Sequence, residues 1–185
     1  MSAKRTGTKR RILEAAAEIA RESGPGNLAL DAVAAKAGVS KGGLLYHFPS
    51  KSSLLQAVVE VFLRSFEDTL AAREQARGDR ANGLMEAYLE LFVEDHDSRQ
   101  PPPSGLLAAL AENPDFLAPI RRHHRAFLDR LKEKTNDPET ALVVFLAIQG
   151  VRSMNLLNID IMTNEEFNEV AAKLKSMLSA SACPS

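Results

Sequence analysis

The feature that most constrains the fold is a four-residue turn between two short segments with helical apolar spacing. Residues 30–37 carry apolar side chains on one helical face, and Gly38 follows them directly. A glycine in that place predicts a helix that ends in the left-handed backbone conformation, which glycine adopts at no steric cost. Ser40 can then cap a second helix, which Pro49 ends. The pattern predicts two short helices joined by a tight turn.

The rest of the chain also has the apolar period of helices. An amphipathic helix is predicted over residues 9–22, and a long one over residues 50–77. Further helical segments, the second of which Pro119 can split, are predicted over residues 80–96, 105–112, 114–134, 138–156 and 163–179. A brief alternating pattern in residues 155–164 has no second strand candidate to pair with. We therefore expect an all-α chain of about nine helices.

Charge is distributed unevenly along the chain. Residues 1–51 contain nine Lys and Arg residues against four acidic residues, whereas the remainder has 14 basic and 20 acidic residues. The net charge of −1 hides this difference. A basic N-terminal part on an acidic body predicts that only the N-terminal part meets a polyanion.

Several classes of protein are not supported by the sequence. No stretch approaches the ~18 to 20 apolar residues that a membrane span needs, and the basic N-terminus lacks the apolar core of a signal peptide. Cys183 is the only cysteine, which fits a reducing cytoplasm. His123 and His124 have no further metal ligand at helical spacing. We expect a cytoplasmic protein that is not an enzyme, with no cofactor, no metal and no membrane partner.

The segment LDAVAAKAGVSKGGLLYHFPSKSSLL resembles the DNA-binding domain of the TetR family of bacterial transcriptional regulators. The match covers about residues 9–55, and the residues at the family's spacing are Val33, Ala34, Ala37, Gly38, Val39, Ser40, Gly42, Leu44, His47, Phe48, Lys51 and Leu54. Beyond residue 55 only the all-helical body of suitable length is similar. The resemblance implies a helix-turn-helix DNA-binding domain over residues 1–50 and a ligand-binding and dimerisation domain over residues 51–185.

Two positions depart from the family pattern. Ala29 stands where the family often has a threonine that caps the helix and meets a phosphate. Leu45 occupies the usual tyrosine position, and Tyr46 follows it. Ala29 provides neither the cap nor the phosphate contact, for which Asn27 is the alternative from a shifted position, and Leu45 makes one contact point apolar.

The second helix of the motif can lie in the major groove of DNA. Gly42 and Gly43 let its backbone approach closely, and Lys41 can reach a guanine edge or a phosphate. Arg10 and Arg11, with Lys9, can embrace the flanking backbone or act as a flexible arm in the minor groove. Taken singly, the charged residues would be ordinary surface charges. The candidate DNA contacts are Arg10, Arg11, Ser40, Lys41, Gly42, Gly43, Leu45, Tyr46, His47 and Lys51.

The resemblance implies that the body binds a small molecule and a second copy of the chain. Residues 138–156 are apolar nearly all round, which predicts cover on both sides. The dimerisation candidates are Phe145, Ile148, Leu156, Phe167, Leu174 and Leu178. Gln149 and Arg152 are polar residues within this apolar helix and are the first ligand candidates, although either could serve the dimer instead. The apolar ligand candidates, for which a packed core is the alternative, are Phe66, Tyr88, Phe92, Leu110 and Phe127.

The predicted function is that of a homodimeric repressor, released from a palindromic double-stranded DNA operator by a largely apolar small-molecule effector. Effector release is implied by the resemblance alone. An activator, or a repressor that requires its effector, would share every motif. A helical protein-interaction module whose basic part binds an acidic partner is the alternative from another class.

Overall fold

The computed structural model describes residues 2–23, 28–78, 80–97, 117–157, 159 and 161–181. Within these residues every regular element is a helix, which confirms the all-α prediction. The described part of the chain has eight helices, which are α1 (Ser2–Ser23), α2 (Leu30–Lys36), α3 (Lys41–His47), α4 (Lys51–Arg77), α5 (Gly83–Asp97), α6 (Ala118–Glu133), α7 (Pro138–Leu157) and α8 (Asn164–Ser181). The helix predicted over residues 105–112 lies outside the described residues. Pro119 stands in the first turn of α6, where its missing amide costs nothing, and the residues before 117 that the predicted split also involves lie outside the described residues.

The chain forms two units. The first comprises Met1–Ser65 with Pro102–Arg122, and the second comprises Phe66–Pro101 with His123–Ser185. The first unit extends beyond the predicted boundary at residue 50, because the start of α4 packs its apolar side chains into the same core as α1, α2 and α3.

The core of the first unit is built from the apolar faces of its helices. Small residues of α1 let α2 approach, and larger ones from α3 and α4 close the interior. The buried residues are Ile12, Ala15, Ala16, Ala20, Leu28, Val33, Ala34, Ala37, Leu44, Phe48, Leu54, Leu55 and Val58.

The core of the second unit is larger and richer in aromatic residues. Its main aromatic members are Tyr88 and Phe92 of α5, Phe127 of α6, Phe145 of α7 and Phe167 of α8. Asn82 lies buried just before α5 with a positive φ of 67°. Its amide nitrogen donates a hydrogen bond of 2.9 Å to the carbonyl oxygen of Leu178 in α8.

The structure places most of the predicted dimerisation residues in the core of a single chain. Side chains already buried within a single chain cannot bury more surface against a second copy. This applies to Phe145, Ile148, Phe167, Leu174 and Leu178, all of which are core residues of the second unit. The side chain of Leu156 lies outside the described set. Among the described side chains of α7, the large apolar ones that are exposed are Leu142, Val143 and Leu146.

Candidate functional site

The turn between α2 and α3 has the geometry that its sequence predicts. Gly38 has a φ of 63°, in the left-handed region. Its amide donates to the carbonyl oxygen of Ala35 at 3.1 Å, and the Val39 amide donates to that of Ala34 at 3.0 Å. These bonds satisfy carbonyl groups that the end of α2 would otherwise leave free. The turn therefore sets the direction in which α3 leaves α2.

Arg11 holds this turn from α1. Its guanidinium donates hydrogen bonds to the carbonyl oxygens of Ala37 and Gly38. The positive charge also lies at the carboxyl end of α2, where the helix dipole favours it. Arg11 was predicted to contact DNA, but the structure engages its guanidinium within the first unit. Lys9, Arg10 and Arg11 all lie inside α1.

The two glycines at the start of α3 have different surroundings. Ser40 caps α3, and its hydroxyl oxygen accepts a bond of 3.1 Å from the Gly43 amide. A Cβ at Gly43 would lie 3.3 Å from that oxygen, so the cap itself favours glycine there. A Cβ at Gly42 would meet nothing within 4 Å. Packing inside the chain therefore gives no reason for glycine at position 42.

The remaining candidates of α3 and α4 differ in their accessibility. Tyr46 is 67% exposed, with its ring edge-on to that of His47 at 5.2 Å. Lys41 and Lys51 are exposed, and His47 is half-buried. Leu45 packs partly against the core, so less of it is available to DNA than predicted. The accessible face of α3 combines a bare backbone with basic and aromatic groups.

The predicted cap defect at the start of α2 is present. Ala29 takes the N-cap position and provides no side-chain hydrogen bond. Asp31 stands in the first turn of α2 and forms an ion pair with Lys41, with 3.0 Å between the carboxylate oxygen and Nζ. Arg10 pairs with Glu14 along α1 at 3.4 Å.

In the second unit, the polar ligand candidates converge on one hydroxyl group. The side chains of Gln149 and Arg152 both donate hydrogen bonds to the hydroxyl oxygen of Tyr88, the latter at 3.1 Å. Arg152 also donates to the carboxylate of Asp95 at 3.0 Å. Burial is the largest influence on the Tyr88 hydroxyl, and it raises its pKa. Tyr88 therefore stays protonated at neutral pH.

Aromatic rings surround the Arg152 guanidinium. Its central carbon lies 5.4 Å from the ring centre of Phe66, 5.1 Å from that of Tyr88 and 5.8 Å from that of Phe92. The Phe127 ring packs against Tyr88 with 4.6 Å between centres. The residues of this group, which we call the Tyr88 cluster, are Phe66, Tyr88, Phe92, Phe127, Gln149 and Arg152. The structure thus brings six of the seven ligand candidates together, and Leu110 lies outside the described residues.

Sequence reasoning placed two neighbours of this cluster elsewhere, whereas it named a third, His124, among nearby polar possibilities for the ligand site together with His96 and His123. Asp95 lies seven residues after Tyr88 on the same face of α5, a spacing that could have identified it. The Phe145 ring, assigned to the dimer interface, instead stacks against Tyr88 at 6.0 Å. The edge of the His124 ring meets Phe145 with 5.7 Å between centres. The cluster can offer a ligand aromatic faces and hydrogen-bond donors.

Other site types were also sought in the described part of the chain. No group of three or more His, Cys, Asp or Glu side chains there has the arrangement of a metal site. Among the same residues, no helix has the length and apolar character to cross a membrane.

Comparison with known proteins gives consistent matches for both parts of the chain. Residues 12–58 match the family described as bacterial regulatory proteins, tetR family. Residues 82–179 match the family described as tetracyclin repressor-like, C-terminal domain.

Two named relatives align over most of the chain. The transcriptional regulator UidR of Escherichia coli K12 is 28% identical over 137 residues, which is 71% of this chain and 66% of UidR. The transcriptional repressor BepR of Brucella suis is 29% identical over 150 residues, 78% of this chain and 65% of BepR. The aligned stretch is thus just under two thirds of the length of either relative.

Solved structures show the same fold. SCO7518 from Streptomyces coelicolor A3(2) superposes with a TM-score of 0.65 at 21% identity, covering 90% of this chain and 97% of that one. The multidrug binding protein EbrR, complexed with ethidium, superposes with a TM-score of 0.64 at 24% identity, covering 90% and 98%. Because its two parts match the N-terminal and C-terminal patterns, this chain belongs to the tetR family of bacterial regulatory proteins.

Proposed function

We propose that this DNA-binding regulator is a homodimeric repressor that leaves a palindromic operator when a small molecule binds in its second unit. The observation that carries the DNA-binding part is Gly42. It is exposed at the start of α3, and nothing inside the chain requires glycine there. A groove that receives the α3 backbone would require it, since any side chain would hold the helix away from the base edges.

The groups around Gly42 fit a duplex. Lys41 can reach a base edge or a phosphate, and Tyr46 can donate its hydroxyl proton to a phosphate oxygen. Lys51, at the first position of α4, adds a positive charge beside them. Contacts of this kind hold α3 in register on the DNA, while the base edges near Gly42 supply sequence preference.

A second copy of the chain is proposed to cover the outer face of α7, defined by Leu142, Val143, Leu146 and Gly150. Val143 and Leu146 are 52% and 58% exposed. A Cβ at Gly150 would meet nothing within 4 Å, so a helix from another chain can approach closely there. A dimer with a two-fold axis through this face would present two α3 helices, one from each subunit. A palindromic operator with half-sites about 34 Å apart requires this arrangement.

The Tyr88 cluster is the proposed effector site. Buried polar groups within an aromatic core are characteristic of small-molecule sites. Arg152 holds the centre of the cluster, so an effector must displace its guanidinium or bind against it. Phe66 belongs to α4, which continues without a break from Lys51. A ligand that moves Phe66 therefore acts on the helix that directly follows the DNA-binding helices.

DNA binding is tested by fluorescence anisotropy with duplexes from the region upstream of the gene and with random-sequence duplexes. We expect salt-sensitive binding with preference for an upstream site. Tyr46→Ala and Lys51→Ala should each weaken binding about tenfold, since a phosphate contact is worth about 1 to 2 kcal/mol here. Lys175→Ala, which removes an exposed charge from α8, is the matched control and should leave the affinity unchanged. Equal affinity for all duplexes would argue against a regulator of specific genes.

The direction of regulation and the effector need separate measurements. A reporter under the upstream promoter should rise in expression when the gene is deleted, whereas a fall would identify an activator. Native mass spectrometry of the purified protein should reveal a bound small molecule that is lost from an Arg152→Ala, Tyr88→Phe variant. A molecule retained equally by the variant would place the effector site elsewhere.

A further inference from the structure

The four acidic residues of the basic N-terminal part all form ion pairs. Glu18 and Glu22 both pair with Lys36, at 3.2 and 3.3 Å. Glu14 pairs with Arg10, and Asp31 with Lys41. Three of these acids lie on α1 and pair within α1 or across to the end of α2. Only Asp31 is paired with a residue of α3.

Both members of the Asp31–Lys41 pair are open to solvent. The Asp31 side chain is 73% exposed and that of Lys41 is 57% exposed. An exposed pair of this kind contributes little to stability, because water competes for both charges. Asp31 lies in the first turn of α2 and Lys41 begins α3. A contribution to stability therefore does not explain why the pair links these two helices.

We propose that Asp31 is an electrostatic competitor of DNA, which holds Lys41 and lowers the affinity of the protein for non-specific sequence. This inference rests on the proposed function, since it gives Lys41 a role at the duplex. A phosphate can engage Lys41 fully only when the carboxylate of Asp31 releases it. On a non-specific duplex, phosphate contacts supply nearly all the affinity. The loss of one such contact therefore lowers the affinity by the whole contribution of that contact.

Asp31 also repels a phosphate that Lys41 has bound, so this effect too depends on Lys41. Exposed charges influence each other over about 8 to 10 Å at physiological salt concentrations. The Asp31 carboxylate lies 3.0 Å from Lys41 Nζ, so a phosphate bound by Lys41 falls within that range. On an operator, base contacts near Gly42 can compensate for this repulsion. Asp31 thereby raises the ratio of specific to non-specific affinity, which decides how well a regulator finds its site.

The test uses the full chain and a random-sequence duplex, with anisotropy measured at several salt concentrations. Asp31→Asn should raise the non-specific affinity by about threefold to tenfold, as one additional phosphate contact would. The slope of log K against log salt should steepen by about 0.9. Thermal melting by circular dichroism first establishes that each variant is folded.

Three control variants make the result specific to this pair. Glu22→Gln removes the same charge from the same domain but leaves Lys36 paired with Glu18. It should change affinity and slope much less. Asp31→Glu keeps the charge and should bind like the unsubstituted protein. In a Lys41→Gln background, Asp31→Asn should change affinity by less than about twofold and should leave the salt slope unaltered.

The outcomes separate this inference from the proposed function. A gain that requires Lys41 supports the competitor role. An equal gain in Glu22→Gln, an undiminished gain without Lys41, or no gain at all overturns it while leaving DNA binding intact. If the unsubstituted protein binds no duplex even at low salt, the proposed function fails, and the role of Asp31 fails with it.

Discussion

Arg11 and Gly38 are 27 residues apart in the chain, yet the guanidinium of Arg11 donates a hydrogen bond of 3.1 Å to the carbonyl oxygen of Gly38. The same nitrogen also bonds the carbonyl oxygen of Ala37. The first helix of the domain thereby fixes the turn on which the direction of α3 depends. An arginine that its basic neighbourhood suggested as a DNA contact has an intramolecular role.

Arg11→Ala should therefore destabilise the first unit by about 1 kcal/mol, at the low end for bonds to a charged group because the arginine is partly solvated. Gly38→Ala should cost about 1 to 2 kcal/mol, since its φ of 63° is unfavourable for alanine. Urea unfolding measures both changes. Arg10→Ala, on the exposed side of α1, is the control and should alter the midpoint much less. Equal effects at positions 10 and 11 would contradict the role assigned to Arg11.

A second prediction concerns the buried Asn82. Its amide donates to the Leu178 carbonyl, and its side-chain oxygen accepts from the Thr135 hydroxyl at 2.5 Å. In Asn82→Asp the donor is lost and a carboxylate oxygen faces the carbonyl. We expect the free energy of unfolding of the second unit to decrease by about 2 to 3 kcal/mol. Asn136→Asp makes the same chemical change at an exposed position and should be nearly neutral. A similar midpoint for both variants in denaturant would show that the Leu178 bond is unimportant.

A third prediction follows from His123 and His124. Burial is the largest influence on both, and it lowers their pKa values below 6.5. Below pH 6.5 the unfolded chain therefore binds more protons than the folded one. The free energy of unfolding consequently decreases as the pH falls. We expect the unfolding free energy to be constant above pH 7.5 and to decrease between pH 6.5 and 5.

Carboxylates with lowered pKa values, such as Asp129 and Glu94, influence stability only at more acidic pH. The change in stability between pH 5 and 6.5 is therefore assigned to the histidines. Replacing both histidines by glutamine should flatten the profile between pH 5 and 6.5, as measured by urea unfolding at each pH. A decrease that persists unchanged in the double variant would assign the pH dependence to other groups.

Local sequence signals predicted the DNA-binding motif well, because Gly38 and Ser40 act through neighbours a few residues away. The pairing of Arg11 with the turn could not be predicted, since it depends on how α1 packs against α2. Gln149 and Arg152 were found because polar residues in an apolar helix need partners. That the partner is Tyr88, 61 residues before Gln149, depends on the packing of α5 against α7.

Most of the predicted dimerisation residues lie in the core of a single chain, for a physical reason. Residues 138–156 are apolar on more than one face, and nothing in the sequence says which face the chain itself covers. The structure turns Phe145 and Ile148 inward and leaves Val143 and Leu146 outside. Hydrophobicity alone therefore could not distinguish the face of this helix that the chain itself buries from the face it leaves exposed.

The last prediction tests the outer face of α7. Leu146→Asp places a charge at the centre of the proposed interface, and burying an unpaired carboxylate against a second copy costs several kcal/mol. We expect sedimentation equilibrium to show a monomer with an unchanged far-ultraviolet circular dichroism spectrum, since Leu146 contributes little to the core of its own chain. A palindromic duplex should then be bound far more weakly, because two half-sites are no longer engaged together. Ala172→Asp, on the exposed side of α8 but outside this defined face, is the control. A Leu146→Asp protein that remains dimeric would place the contact between subunits on another surface.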